Sequence, residues 1–139
     1  MNSHSPSIDD LRENLTNRLA LTLPAGWEYA QVLYRALGAH EEIAAVVHLV
    51  TRQLAPWSPP PQLRDDFRLL RAAMADGTTG TWLSAKYELR FPDDTAFKFN
   101  TAKRPRWTAE PSEADYALEL ERFPRAPEHV PAWFPARDS

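Results

Sequence analysis

Trp82-Leu83-Ser84-Ala85-Lys86-Tyr87-Glu88-Leu89-Arg90-Phe91, followed by Pro92-Asp93-Asp94 and then Thr95-Ala96-Phe97-Lys98-Phe99-Asn100, reads as a β-hairpin. Trp82, Ser84, Lys86, Glu88 and Arg90 alternate with Leu83, Ala85, Tyr87, Leu89 and Phe91. A period of two places the two sets on opposite faces of a strand. Pro and Asp at 92–94 supply turn chemistry, and Phe97 and Phe99 return on one face. A hairpin with one apolar face needs a layer to cover it, and the flanking segments supply candidates.

Upstream, Ile8, Leu11, Leu15 and Leu19 recur at helical spacing behind Ser7, a suitable N-cap, with Asp9 and Asp10 at the positive end of the dipole. Pro24-Ala25-Gly26 ends that segment. Trp27–Leu37 reads as a strand, Gly38–Glu42 as a hairpin connection, and Ala44–Thr51 as a second strand. Pro59-Pro60-Pro61 primes a helix whose apolar stripe is Leu63, Phe67, Leu70 and Met74, closed by Asp76-Gly77. A last helix runs over Glu113–Phe123, with Tyr116, Leu120 and Phe123 on one face. Pro124 stops it, and a proline-rich tail follows. The expected fold is α+β: a single domain over residues 1–139, core about 7–135, with an antiparallel sheet of about four strands and three helices packed on it.

Composition excludes several classes. With no cysteine, a disulfide scaffold, a thiolate nucleophile and a zinc knuckle are ruled out. A net charge of −3 is not that of a general nucleic-acid binder. The polar start Met1–Pro6 lacks a basic region followed by an apolar stretch, so no signal peptide is read there. The run from Ile43 to Val50 is too short to span a bilayer. A cytoplasmic protein with no membrane contact is expected.

Candidate chemistry is sparse. His4, His40, His48 and His129 form no metal-ligand spacing. Asp76-Gly77-Thr78-Thr79-Gly80-Thr81 follows a helix and precedes a strand, the reverse of a phosphate-binding loop. Asp65-Asp66 and Asp93-Asp94 suit a helix start and a turn. No catalytic residue, cofactor site or metal site is assigned. Five tryptophans at near-regular spacing have dissimilar neighbours, so they do not mark a repeat.

Charge carries more. Residues 86–106 hold Lys86, Arg90, Lys98, Lys103, Arg104 and Arg106 against Glu88, Asp93 and Asp94, a local +3. Residues 110–128 hold Glu110, Glu113, Asp115, Glu119, Glu121 and Glu128 against Arg122 and Arg125, a local −4. Aromatics interleave the basic segment, as on an RNA-binding sheet; the alternative is a solvated face backed by a buried aromatic one. The acidic segment is either a solvated helix or a face that docks on a basic partner.

Several markers together resemble a known family. They are Leu23-Pro24-Ala25-Gly26-Trp27, Trp57 in its Pro-rich turn, Leu63–Arg71, Gly80-Thr81-Trp82, Phe97–Asn100, Pro105-Arg106-Trp107, Glu119–Arg125 and Val130–Trp133. With these the chain resembles the YezG-like bacterial immunity (antitoxin) proteins over about residues 7–135. The chain is richer in Arg, Ala and Pro than the more acidic members. The resemblance implies a small cytoplasmic α+β protein without enzymatic activity that binds and neutralises a cognate toxin domain, often a nuclease. It names no binding residues. Charge and loop position nominate Arg104, Arg106, Trp107, Glu110, Glu113, Asp115, Glu119 and Glu121 as the partner contact. On that reading, reversing Glu113, Glu119 and Glu121 slows association and leaves folding nearly unchanged. The competing readings are a nucleic-acid-binding or regulatory adaptor using the basic 86–106 sheet, and a small enzyme whose site is assembled from scattered Asp, His and Tyr.

Overall fold

The hairpin forms as the alternation predicts: strand β3, Ser84–Arg90, pairs antiparallel with β4, Asp94–Asn100. These elements come from a computed structural model that describes residues 6–135; His4 and the polar start before Pro6 lie outside the described residues. A second hairpin, β1 (Trp27–Leu37) and β2 (His40–Leu49), joins it through β1 and β3. The result is a four-stranded antiparallel sheet in the order β2-β1-β3-β4. Helices α1 (Ile8–Thr22), α2 (Gln62–Ala73) and α3 (Glu113–Arg122) complete the α+β domain.

Two details of the hairpins differ from expectation. The connection after β1 is only Gly38-Ala39, so β2 begins at His40 rather than Ala44 and ends at Leu49. Gly38 makes so tight a turn possible because its φ is +61°. A Cβ there would also lie 2.2 Å from the Asp115 carbonyl oxygen, so only glycine lets this turn seat against α3. In the second hairpin the chain bends at Leu83, which resets the alternation. Trp82 therefore joins the inner core and Leu83 the opposite side, the reverse of what a strand unbroken from Trp82 would give.

The inner sheet face presents Ala30, Val32, Tyr34, Ala85, Tyr87 and Leu89, with Phe97 and Phe99 beside them. Leu11, Leu15 and Leu19 of α1 and Leu63, Phe67 and Leu70 of α2 cover it. Helix α1 starts where Ser7 was read as its cap, with Ser7 and Asp10 forming a reciprocal capping box. A second, smaller core lies on the opposite side, at one end of the sheet. There Leu37 and Leu83 meet Tyr116 of α3 and Phe134. The proline-rich segment beyond Pro124 thus folds back onto the domain, where the Trp133 indole N–H donates to the Ala102 carbonyl at 2.8 Å. Trp57 fastens another seam, donating to the Thr22 carbonyl at 2.9 Å.

Phe67 is fully buried and stacks on Tyr34 at 4.8 Å, and Trp82 lies edge-on to Tyr34 at 5.8 Å. Phe67→Ala and Trp82→Ala are each expected to cost about 3–5 kcal/mol in chemical denaturation, as large aromatic deletions from cores do. A loss below about 1 kcal/mol at either position would contradict this assignment of the core.

Candidate functional site

The nominated residues lie on the loop after β4 and on α3, and the structure divides them by role. The loop is held by an acid from β2. The Glu42 carboxylate accepts the N–H groups of Thr108 and Ala109 at 2.7 and 2.9 Å and meets His40 Nε2 at 2.8 Å. Burial alone would push this carboxyl up. The two backbone donors and His40 outweigh it and hold Glu42 down at about 2. Trp107 packs half-buried between His40, at 5.3 Å, and the second core. Arg104 pairs with Glu110 at 2.6 Å, and Glu110 also accepts from the Tyr116 hydroxyl at 2.9 Å. Asp115 closes the capping box of α3 with Ser112 and accepts from the Ala39 N–H at 3.3 Å. Arg106, Glu113 and Glu121 are exposed and have no ion-pair partner among the described residues.

Glu119 does not belong to an exposed acidic face. It is fully buried: one carboxylate oxygen accepts from the Gly38 N–H at 2.9 Å and the other pairs with Arg71 at 2.5 Å. Arg71, itself buried, also donates from Nε to the Trp82 carbonyl at 2.8 Å. Reversing Glu119 would strand a buried cation, so the expectation that this residue can be reversed without harm to folding is corrected. With Glu110, Asp115 and Glu119 engaged in internal bonds, the local −4 does not present a continuous acidic surface.

Beside this pair lies a cavity of about 320 Å³ lined by Tyr34, Glu41, Arg68, Arg71, Arg122 and Phe123, among others. Tyr34 donates its hydroxyl to Glu41, which Arg68 also clasps with two donors. Burial, and then the Glu41 carboxylate, push the Tyr34 hydroxyl well above its ordinary range. Burial opposes ionisation of Glu41, but Arg68 and Tyr34 prevail and hold it below the ordinary carboxyl range. Both groups titrate far from neutrality, where proton exchange in catalysis is least effective. They act here as a strut between β1, β2 and α2.

The outer sheet face carries another concave feature. Covered by α3 and the returning segment only at its Leu37–Leu83 end, it holds a hollow of about 250 Å³. Leu33, Arg35, Ser84, Lys86, Lys98 and Arg106 contribute to its wall, and no carboxylate does. The sequence places Lys86, Lys98 and Arg106 in its basic 86–106 segment but gives no sign that Leu33, Arg35 and Ser84 join them. The hairpin register places Lys86 directly opposite Lys98. The aromatics of the basic segment point the other way: Tyr87, Phe97 and Phe99 sit on the helix-covered face. Among the described residues no group of three or more His, Asp or Glu is placed to hold a metal ion, and no helix is long and apolar enough to cross a membrane.

Compared with known proteins, the chain matches no family model and no curated sequence. The likeness to YezG-like proteins therefore rests on its sequence markers.

Two outcomes follow from the ion network. Glu119→Ala is expected to cost about 3–5 kcal/mol, because Arg71 is left buried without its counter-ion. Glu113→Lys with Glu121→Lys should leave the denaturation midpoint nearly unchanged. Equal effects of the two variants would contradict the burial of Glu119. For Glu42, the folded value near 2 lies below its ordinary 4.5. The stability it contributes is complete above pH 4.5 and is lost as pH falls from 4.5 towards 2. Glu42→Gln should flatten the acid limb of stability in that window; an unchanged acid limb would show that Glu42 does not anchor the loop.

Proposed function

We propose that this protein is an immunity-type antitoxin that binds a cognate bacterial toxin domain and neutralises it, with no turnover of its own. The observation that carries the reading is the open part of the outer sheet face. Strands β1, β3 and β4 set out Leu33, Arg35, Lys86 and Lys98 on a rigid frame, and the Glu42-anchored loop sets Arg106 beside them. A preformed surface with arginines around an apolar patch suits tight protein recognition, because little conformational entropy is lost on binding. The whole-chain resemblance supplies the kind of partner, a toxin domain such as a nuclease, met in the cytoplasm of the producing cell. Of the nominated contacts, Arg106 lines this hollow; Glu113 and Glu121 remain as exposed acids on α3.

The nucleic-acid reading finds less support. Single-strand binders stack bases on exposed aromatics along a basic groove. Here Tyr87, Phe97 and Phe99 are turned into the helix-covered core.

Co-expression with the toxin domain encoded beside its own gene tests the proposal. The expected result is restored growth and a stable complex that survives purification. A toxin that still kills, with no complex formed, would remove the immunity reading.

A further inference from the structure

Lys86 and Lys98 face each other across β3 and β4 in direct register. Side chains in such pairs stand about 5 Å apart at Cβ, and like charges there destabilise a sheet. Other charges on this face are settled internally. Glu88 accepts from the Tyr29 hydroxyl at 2.8 Å, Arg90 lies over the Tyr29 ring at 4.6 Å, and Arg35 meets Glu42 at 3.5 Å. Lys86 reaches Glu88 at 3.6 Å, while Lys98 and Arg106 have no ion-pair partner among the described residues. The fold therefore concentrates a surplus of positive charge around one hollow, beside a neutral wall of Leu33, Ser84, Asn100 and Pro105. Packing does not require it, since all three cations stand on the solvent side of the sheet.

We propose that this hollow is the acceptor for carboxylates of an acidic segment of the partner toxin. The inference rests on the antitoxin reading and names the chemistry of its partner: an acidic surface, where sequence charge alone pointed to a basic one. Lys86 and Lys98 flank the entering carboxylate from the sheet, and Arg106 offers a planar fork from the loop. The apolar wall takes the methylene stem of an aspartate or glutamate. A protein segment fits better than a nucleic-acid strand, because the cations surround one hollow instead of tracking a path, and no aromatic platform adjoins them.

The test uses two probes, hexaglutamate peptide and the neighbouring toxin domain, against the wild type, K98E/R106E and R122E. Arg122 is an exposed cation on α3, away from the hollow, and serves as the charge control. The double variant should melt no lower than the wild type, since neither residue has an internal ion pair to lose and replacing Lys98 relieves its repulsion with Lys86. At low salt, the wild type should bind hexaglutamate, K98E/R106E should bind both probes at least about tenfold more weakly, and R122E should stay within about twofold. Failure of the wild type to bind hexaglutamate, or equal binding by K98E/R106E, would overturn the proposal even if the wild type neutralises the toxin. Tighter binding of a single-stranded RNA than of hexaglutamate, abolished by the same double variant, would also overturn it and assign the hollow to nucleic acid. Loss of toxin protection by the wild type, with hexaglutamate binding intact, would instead remove the antitoxin reading and this pocket's role within it.

Discussion

The buried pair between Arg71 and Glu119 fixes the arrangement of everything outside the inner core. Burying two charges is expensive unless each is fully bonded. Here the bonds are made across elements. Arg71 of α2 reaches the Trp82 carbonyl as well as Glu119, and Glu119 of α3 reaches the Gly38 N–H of the β1–β2 turn. The Thr81 hydroxyl in turn donates to the Arg71 carbonyl at 2.6 Å. Four separate segments are located by one ion pair and its hydrogen bonds. Apolar packing alone would hold them together with less positional definition, since among the described residues the second core has only Leu37, Leu83, Tyr116 and Phe134 as buried members.

Where α3 docks determines which part of the sheet stays open. The backbone of Asp115 closes on Gly38 too tightly for any side chain at that turn, so α3 is confined to one end of the outer face. An antiparallel sheet tolerates one solvated face. In this protein that face is divided. One part is a self-satisfied cluster of Tyr29, Gln31, Glu88 and Arg90. The other is the hollow with its surplus of positive charge. The division separates charges that hold the structure from charges left available to a partner, and it gives a chain of net charge −3 a locally cationic surface.

The helices and the strand pairing were legible because each rests on local rules. Ser7 and Ser112 stand before helices with an acid three residues on, and both form capping boxes. The turn at 92–94 and the alternation after it set the register of β3 and β4. What was not legible is long-range. Glu119 and Arg71 look like ordinary exposed helix charges, although each is three or four residues from a core member, Tyr116 or Phe67, and so falls on the buried stripe. The bend at Leu83 leaves no periodic trace, and it exchanges the faces of Trp82 and Leu83. The acidic run read as a surface because summed charge ignores partners 48 and 81 residues away in sequence. The cationic hollow needed three strands and a loop brought together.

On the proposed reading, the partner binds the outer sheet face around the hollow. The chain offers a direct probe of it, because its only lysines are Lys86, Lys98 and Lys103. The first two line the hollow, and the third sits on the loop leading to Pro105 and Arg106. Amine-reactive labelling of the free protein and of its toxin complex, read out residue by residue, reports this face and little else. Lys86 and Lys98 are expected to be labelled in the free protein and shielded in the complex. Equal labelling of both lysines in the two states would place the partner elsewhere and contradict this reading.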